Sequence, residues 1–265
     1  MSKRFISKIV LALSVALLAI NIYGLTQSLR ADGLEDEPLN IFKDDLKLSL
    51  KQAQKQIIKK EKEKDQAYTL RLNKVIADSI AHVHWENISS DKYNIHIPIW
   101  ENYILWAMGY IHPEYARYHF RNDKKSLERG IGTCGDTAMM INTLLIKAGI
   151  DSKILAFPKH VVASAKVNNN TLILDPDYGV VIPISPNQAK KATNLITNQY
   201  IKAGYSKTKA QQIAKILSKP YTTFNNTFHF GPNTMRLETI SYFLIWILPI
   251  AGIIVPGCVL LKNKK

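Results

Sequence analysis

The chain has 265 residues, of which 46% are hydrophobic and 21% are charged, and this balance is typical of a globular protein and excludes a largely disordered one. Its formal net charge of +14 predicts attraction to nucleic acid, anionic lipid or another acidic polymer, without selecting among them. The length allows one good-sized domain or two small ones. The two cysteines, Cys134 and Cys258, lie in segments of different character, so no disulfide framework is expected.

The N-terminal segment predicts a membrane anchor over residues 1–25. Basic residues through Lys8 precede an almost wholly apolar run over 9–23, which with its flanks approaches the roughly 20 residues needed to span a bilayer. A cleavable signal peptide has the same plan. Because Arg30 stands immediately before Ala31, the small-residue cleavage pattern is poor, and we predict an uncleaved anchor.

The C-terminal segment, residues 239–265, predicts a second membrane helix and a basic tail. Residues 242–261 carry no charge and are followed at once by lysines. The prolines in this run are better tolerated in membrane helices than in soluble ones, and a buried core helix is the alternative. Since basic residues flank both spans on their outer sequence ends, both termini are predicted to face the cytoplasm, with residues 26–240 on the other side.

A lysine-rich helical stalk is predicted over residues 26–64, after the first span. Residues 44–85 are expected to form one long helix or two in series, with the second half packed on the domain. The basic residues that crowd the first half include Lys51, Lys55, Lys59, Lys60, Lys62 and Lys64. Such a surface attracts anionic lipid head groups or an acidic polymer. A solvated stalk helix with i, i+4 ion pairs is the alternative.

Two features before residue 130 are expected to be structural. His82 and His84 lie two residues apart in the predicted helix and would point to different faces, which argues against joint metal ligation. Aromatic residues between 97 and 118 recur on one helical face, and such a stripe is usually core, although one ring is able to line a substrate cleft. No nucleotide-binding loop or metal-ligand spacing is present in the sequence, so neither cofactor nor metal is expected.

Residues 130–138 contain the candidate catalytic cysteine. Cys134 stands at the predicted first turn of a helix that ends at Gly149. A cysteine attacks as its thiolate, and a free thiol titrates near about 8.5, so the site must favour the anion. A helix N-terminus does this through its dipole and its free backbone N–H groups. Gly132 and Gly135 let a substrate carbonyl approach the sulfur, and the N–H of Cys134 is a candidate oxyanion donor.

A predicted sheet follows this helix and supplies the partners of the thiol. Strands are expected over residues 150–157, 160–167, 171–174 and 180–184, with a turn at 168–170. Helical sequence over 187–218 and a connector over 219–234 lead to the second span.

His160 and Asp175 are the candidate base and orienting acid. A histidine on a strand can direct its imidazole toward a helix terminus, because the rigid strand restricts the position of the side chain. The carboxylate would accept a hydrogen bond from the other ring nitrogen and fix the tautomer. The pairing of the two strands is expected to need an offset or bulged turn to bring His160 and Asp175 to the same end, and Asp177 is the reserve candidate. Cysteine, histidine and aspartate in this order, on the expected elements, predict a catalytic triad with Cys134.

These residues resemble the transglutaminase-like superfamily, the papain-related cysteine enzymes found widely in bacteria. The family pattern is Gly-x-Cys before small and apolar helix residues, Gly-Ile at the helix end, a His-hydrophobic strand and a closing Asp-Pro. The matching segments are 132–138, 148–150, 160–162 and 175–176. The likeness covers 130–185 closely and 65–220 loosely. Two departures are Val162, where an aromatic residue is often found, and the lack of a recognisable side-chain oxyanion donor upstream of the cysteine.

The resemblance implies an α+β fold with a papain- or transglutaminase-like core, in which a helix carrying Cys134 packs on an antiparallel sheet between two transmembrane helices. The domain with its helical C-terminal extension is expected over 65–238. Cys134 would be the nucleophile, His160 the base and Asp175 the orienting acid. The implied reaction is attack on an amide of a peptide or protein, by hydrolysis or acyl transfer, without a cofactor.

Two functions follow as alternatives. The first is a cysteine peptidase or amidase anchored in the bacterial inner membrane, with its catalytic domain in the periplasm. The second is a catalytically silent binding or scaffold protein of the same fold, in a cell-envelope or polysaccharide-export assembly where the lysine-rich stalk suits an acidic partner. Nucleic-acid binding is disfavoured, because the basic residues lie along a stalk and at membrane ends without interleaved aromatic residues.

Overall fold

The structure, a computed structural model, describes residues 3–34 and 45–262. The chain divides into two compact units. The anchor unit comprises Met1–Ala31, Ser89–Tyr118 and Asn233–Lys265. The sheet unit comprises Asp32–Ile88 and His119–Pro232 and contains every residue of the predicted triad.

The described residues form helices and strands in the following order. The helices are α1 Lys3–Gly24, α2 Leu50–Gln56, α3 Asp65–Ala77, α4 Tyr103–Ile111, α5 Pro113–Ala116, α6 Asp123–Arg129, α7 Cys134–Lys147, α8 Thr193–Lys202, α9 Lys207–Leu217, α10 Thr227–Phe230 and α11 Pro232–Lys262. The strands are β1 Ala81–His82, β2 Ile131–Gly132, β3 Ser152–Phe157, β4 His160–Val167, β5 Asn170–Asp175, β6 Val180–Ile182 and β7 Thr222–Phe224. A 3₁₀ helix spans Pro186–Lys191.

The sheet unit is built on an antiparallel sheet with the strand order β6-β5-β4-β3-β7. One face is covered by α3 and α7, whose Leu72, Ile141 and Leu145 join the alanines of β4 in one buried cluster. The other face is covered by α8 and α9, which pack Ile196 and Ile213 with the alternate residues of β4 and β5. The expected mixture of helices with an antiparallel sheet is therefore confirmed, while the papain-like core stays a prediction.

Helix α7 follows the prediction at both of its ends. It begins at Cys134 and ends at Lys147, and Gly149 adopts the left-handed conformation, with φ of 79°, that a helix C-terminus favours. Its buried residues include Ile141, Leu144 and Leu145, spaced at i, i+3 and i+4. The apolar face fixes the rotation of the helix on the sheet, and with it the place of Cys134.

The β4–β5 hairpin differs from the expected one at its turn. Asn168 and Asn169 both have positive φ, 50° and 63°, and form a two-residue turn of the kind that matches the twist of paired strands. Val167 therefore pairs with Asn170, and the regular register runs on to the end of the ladder. Continued by one pair, it places Asp175 opposite Val162 and diagonal to His160. The expected need for an offset or bulged turn was wrong.

The predicted helical region over 44–85 contains two short helices, of which α2 lies in the lysine-rich part and α3 follows it. α2 is separated from α3 by a segment in which Lys62 has φ of 63°, so of the two expected forms the chain takes two helices in series. The expected extension of the second helix to Trp85 was wrong, because α3 ends at Ala77 and β1 follows. Ala53 of α2 is fully buried in the cluster beneath α7, so this helix packs on the sheet unit. Asp44, the expected start, lies outside the described residues.

The predicted connector over 219–234 contains ordered elements. β7 pairs antiparallel with β3 and forms an edge of the sheet, and α10 follows it. The helical region over 187–218 resolves into the 3₁₀ helix, α8 and α9. Of the aromatic residues between 97 and 118, Tyr103, Trp106 and Tyr110 lie on α4 and Tyr115 lies on α5, while Trp100 and Tyr118 lie outside both helices.

Two helices of the anchor unit are long and apolar enough to cross a membrane, Lys3–Gly24 and Pro232–Leu260. The second begins about ten residues before the uncharged run and continues through both prolines. Within the unit, the Asn21 side-chain amide donates to the Ile245 carbonyl, and a Cβ on Gly252 would lie 2.1 Å from Ser14 Oγ. The two helices thus approach closely at a small residue, as membrane helices commonly do. Their orientation in a membrane stays a prediction.

The two-residue turn yields a test of the hairpin. Replacing Asn169 by valine places a β-branched residue at positive φ and should lower the free energy of unfolding by about 1–2 kcal/mol. Replacing the same residue by glycine should leave stability unchanged or slightly raised. Chemical denaturation of the full chain in detergent, followed by circular dichroism, measures both variants, and equal stabilities would contradict the assigned turn.

Candidate functional site

Cys134 is the first residue of α7 and is a partly exposed free thiol. Thr133 caps the helix, and its backbone N–H and its hydroxyl donate to Asp136 Oδ2 at 2.8 Å and 3.0 Å. The helical ladder opens with Thr137 N–H bonding to the Thr133 carbonyl, so the N–H groups of Cys134 and Gly135 precede the first intrahelical bond. The sulfur therefore stands at the end of a helix where donors and the helix dipole favour negative charge.

The segment before Cys134 is held by a short parallel pair of strands. β1 pairs with β2 so that His82 lies opposite Gly132. A Cβ on Gly132 would come within 3.0 Å of Asp136 Cβ and 3.2 Å of its Oδ2. Glycine is therefore favoured at this position by the close approach of the capping carboxylate, in addition to the access to the sulfur that the sequence suggested.

His160 and Asp175 form a direct, buried hydrogen bond. His160 Nε2 lies 2.8 Å from Asp175 Oδ2, and the two side chains are 7% and 0% exposed. Tyr200 of α8 donates its hydroxyl to the same carboxylate oxygen, and the Tyr178 backbone N–H donates to Oδ1 at 3.3 Å. The carboxylate is thus held from three directions, and it fixes the imidazole ring.

The Cys134 side chain lies close enough to the imidazole of His160 to raise its pKa. Because Nε2 faces Asp175, Nδ1 is the nitrogen left for the sulfur. Burial by itself lowers the pKa of His160, but the charge and hydrogen bond of Asp175 and the interaction with Cys134 outweigh it and raise the pKa well above the ordinary value. The structure brings the three predicted residues together in the expected order, and their catalytic roles stay predictions.

Asp177, the reserve candidate, faces a different histidine. Its Oδ1 lies 3.3 Å from His82 Nε2, while His82 Nδ1 lies 3.0 Å from Asp45 Oδ1. Burial lowers the pKa of His82, but the hydrogen bond to Asp45 and the charges of Asp177 and Asp45 together raise it. Burial is also the main cause of the raised pKa of Asp177. A second histidine–carboxylate cluster therefore lies against the first.

His160, Asp175 and Asp177 are close enough to be considered as metal ligands, since one ligand atom of each lies within 4.8 Å of the others. His160 Nε2 and Asp175 Oδ2 already bond to each other at 2.8 Å. A metal ion that used these two atoms would have to displace that bond. The observed arrangement is therefore that of an imidazole oriented by a carboxylate.

A third histidine–carboxylate pair fixes the first turn of α7. His119 Nδ1 lies 2.9 Å from Asp136 Oδ2, and its ring stacks on Trp85 with centroids 4.6 Å apart. Burial would raise the pKa of Asp136, but the charges of His119 and Arg129, with the hydrogen bonds, lower it to about 2. The carboxylate that caps the helix thus stays ionised at neutral pH.

A cavity of about 160 Å³ opens beside the cysteine. Thr133 and Gly135, which flank Cys134 in the chain, are among its lining residues, together with His119 and Phe230. A Cβ on Gly135 would meet only Thr133 Oγ1, at 3.7 Å. The position after Cys134 is therefore sterically open toward this cavity.

The sequence signals for these further residues differ in kind. Thr133 and Asp136 stand at the spacing of a helix N-cap, which is readable from the sequence alone. His119 and Asp45 have no local signal, because their partners are distant in the chain. His82 was predicted to lie in a helix. It lies on β1 instead, so its pairing with Gly132 was not predicted.

The comparisons with known proteins identify no relative. The chain matches no protein-family model, no curated protein and no solved structure. The resemblance to the transglutaminase-like superfamily therefore depends on the motif residues alone and stays a prediction. Function has to be argued from the geometry of the site.

The contact between thiol and imidazole predicts the reactivity of Cys134. At pH 6, iodoacetamide should alkylate Cys134 about tenfold more slowly in His160→Ala than in the wild type, because the anion loses its cationic partner and the gain in intrinsic nucleophilicity offsets only part of that loss. Cys258→Ser is used as the background so that a single thiol is followed by mass spectrometry. Equal rates in the two proteins would show that His160 does not activate the thiol.

The raised pKa of His160 predicts a pH-dependent stability. A histidine whose folded pKa lies above its unfolded value stabilises the fold fully below the unfolded pKa, near about 6.5, and this stabilisation is lost as pH rises through the folded pKa. A double-mutant cycle of His160→Gln and Asp175→Asn isolates the pair from other titrating groups. The coupling free energy from denaturation in detergent should be larger at pH 6 than at pH 10. Equal coupling at both pH values would contradict a charged pair.

Proposed function

We propose that the protein is a membrane-anchored cysteine peptidase or amidase of the transglutaminase-like type, which attacks an amide bond through Cys134, His160 and Asp175. The observation that carries this proposal is the buried hydrogen bond between His160 and Asp175, with Cys134, a partly exposed thiol at a helix N-terminus, close enough to His160 to raise the pKa of its imidazole. Nucleophile, base and orienting group stand in the relation that covalent catalysis requires.

The proposed reaction begins with the pair of Cys134 thiolate and His160 imidazolium. The sulfur attacks the amide carbonyl carbon, and the carbon–oxygen π pair moves to the oxygen. The backbone N–H groups of Cys134 and Gly135 are the candidate donors to this oxyanion. His160 gives its proton to the departing amine, and the carbon–nitrogen bond breaks to leave a thioester on Cys134.

The second half of the reaction releases the acyl group. Water, or an amine in the case of transfer, attacks the thioester while His160 takes up its proton, and the thiolate leaves. Asp175 holds the ring in one orientation throughout, and Tyr200 and the Tyr178 N–H hold Asp175. The cavity beside Gly135 receives the part of the peptide or protein substrate next to the attacked bond.

The proposed location is the bacterial inner membrane, with the sheet unit in the periplasm. The two apolar helices support the membrane. The side is argued from the basic residues at the outer end of each helix. Lys51 and Lys55 of α2 are exposed and are proposed to meet an acidic polymer or anionic lipid.

The two cysteines provide a matched pair of variants that tests the activity. A thiol-directed probe that mimics an amide substrate should label the wild type and Cys258→Ser equally and should not label Cys134→Ala. Turnover of a peptide library, read by mass spectrometry of new chain ends, should follow the same pattern, with a loss of at least about a thousandfold in Cys134→Ala.

A thermal melt in detergent confirms that Cys134→Ala is folded. Labelling of folded Cys134→Ala at the wild-type rate would contradict the proposal. A wild type that neither reacts with the probe nor cleaves any peptide would instead support the scaffold function in a cell-envelope or polysaccharide-export assembly.

A further inference from the structure

Helix α4 of the anchor unit, Tyr103–Ile111, is apolar on every side and is nevertheless poorly buried. Its sequence, YILWAMGYI, contains no charged residue, and Leu105 is its one buried side chain. Tyr110 is 70% exposed and Ile111 is 66% exposed, and Ile99 shortly before the helix is 37% exposed. The helix therefore presents an apolar surface that no part of the described chain covers.

An arrangement of this kind is unfavourable in water. A helix that is hydrophobic all round belongs in a protein core or in a membrane. Each Å² of apolar surface left in water forgoes about 25 cal/mol. Soluble monomers rarely expose a contiguous patch of this kind without a partner for it.

The exposed ring of Tyr110 is held in place by its neighbours. It packs edge-on against Trp106, with centroids 5.2 Å apart, and against His96, with centroids 4.7 Å apart. His96 Nε2 in turn lies 3.0 Å from the Trp106 carbonyl oxygen. The exposed ring of Tyr110 is therefore held in a defined position by its neighbours, unlike a mobile surface side chain.

The contacts of α4 show which part of α11 it packs against. Its N-cap residue, Asn102, donates to Ser241 Oγ at 3.0 Å, and the Tyr103 hydroxyl donates to the Ile245 carbonyl at 3.3 Å. Ser241 immediately precedes the uncharged run over 242–261. The start of α4 is therefore fixed where α11 passes from polar to apolar sequence, which for a spanning helix is the boundary between membrane and water.

We propose that α4 lies in the membrane interface and places Tyr110 and Ile111 among the lipid head groups and the upper acyl chains. Interfacial helices bury their apolar side by about 5–10 Å, and Tyr and Trp are enriched at this depth. The occupant of the exposed surface is lipid, because the start of α4 is bonded to α11, whose apolar surface faces lipid if the helix spans the bilayer. The proposal does not depend on the catalytic activity of the sheet unit.

A fluorescent label at the exposed position tests the proposal on the full chain. In the Cys134→Ser, Cys258→Ser background, Tyr110→Cys is labelled with the dye NBD and reconstituted into vesicles of phosphatidylcholine and phosphatidylglycerol. Gln212→Cys on α9, an exposed polar helix position of the sheet unit, is the matched control. Emission at 110 should shift to the blue and be quenched by spin-labelled lipid, more strongly by a label near the head group than by one deep in the acyl chain. Emission at 212 should do neither.

Ile111→Cys supplies a second label site and should give the same result as position 110. Water-like emission without quenching at both sites would overturn the proposal. A blue shift that lipid-borne spin labels fail to quench would overturn it as well, because the surface would then be covered by a protein partner or a second copy of the chain. A thermal melt of each labelled protein in detergent excludes local misfolding as the cause.

Discussion

The hydrogen bond between His160 Nε2 and Asp175 Oδ2 is the interaction on which the candidate site depends. A carboxylate with no exposed surface is costly unless it is both paired and hydrogen-bonded, so Asp175 needs His160, Tyr200 and the Tyr178 N–H together. Those partners come from β4, from α8 and from the turn after β5. This bond therefore requires both the two-residue hairpin turn and the packing of α8 on the sheet. A one-residue slip of the β4–β5 pairing would turn Asp175 to the other face of the sheet.

Much of the region around this bond was readable from the sequence because its signals are local. The alternation over 160–167 gave β4 at its observed bounds, and Gly149 marked the helix end through its left-handed conformation. The order of Cys134, His160 and Asp175 was readable for the same reason, since each stands at the end of a locally specified element. The register was misjudged because turn geometry depends on the φ of Asn168 and Asn169, which sequence indicates only weakly for residues other than glycine.

The parts that could not be predicted are those that tertiary pairing decides. β1 and β2 are two residues long, and their apolar pattern is too short to separate from the helix before them. The partnership of His82 with Asp45 joins positions 37 residues apart, and that of His119 with Asp136 spans 17. β7 has no buried alternation because it is a short edge strand. The exposure of α4 could not be predicted either. An aromatic stripe predicts that a helix face is buried, but it does not distinguish burial in protein from burial in lipid.

Three histidine–carboxylate pairs thus lie in the region of Cys134, and they involve different neighbours of it. His160 with Asp175 is the pair near the sulfur, whereas His82 stands opposite Gly132 and Asp136 accepts from Thr133, so the backbone is held just before Cys134. Truncating one member of such a pair leaves a buried charge unpaired and costs more than the pair itself contributes. The cost of burying these charges is understandable if the position of Cys134 relative to His160 matters, because small displacements of a nucleophile greatly reduce the rate of attack.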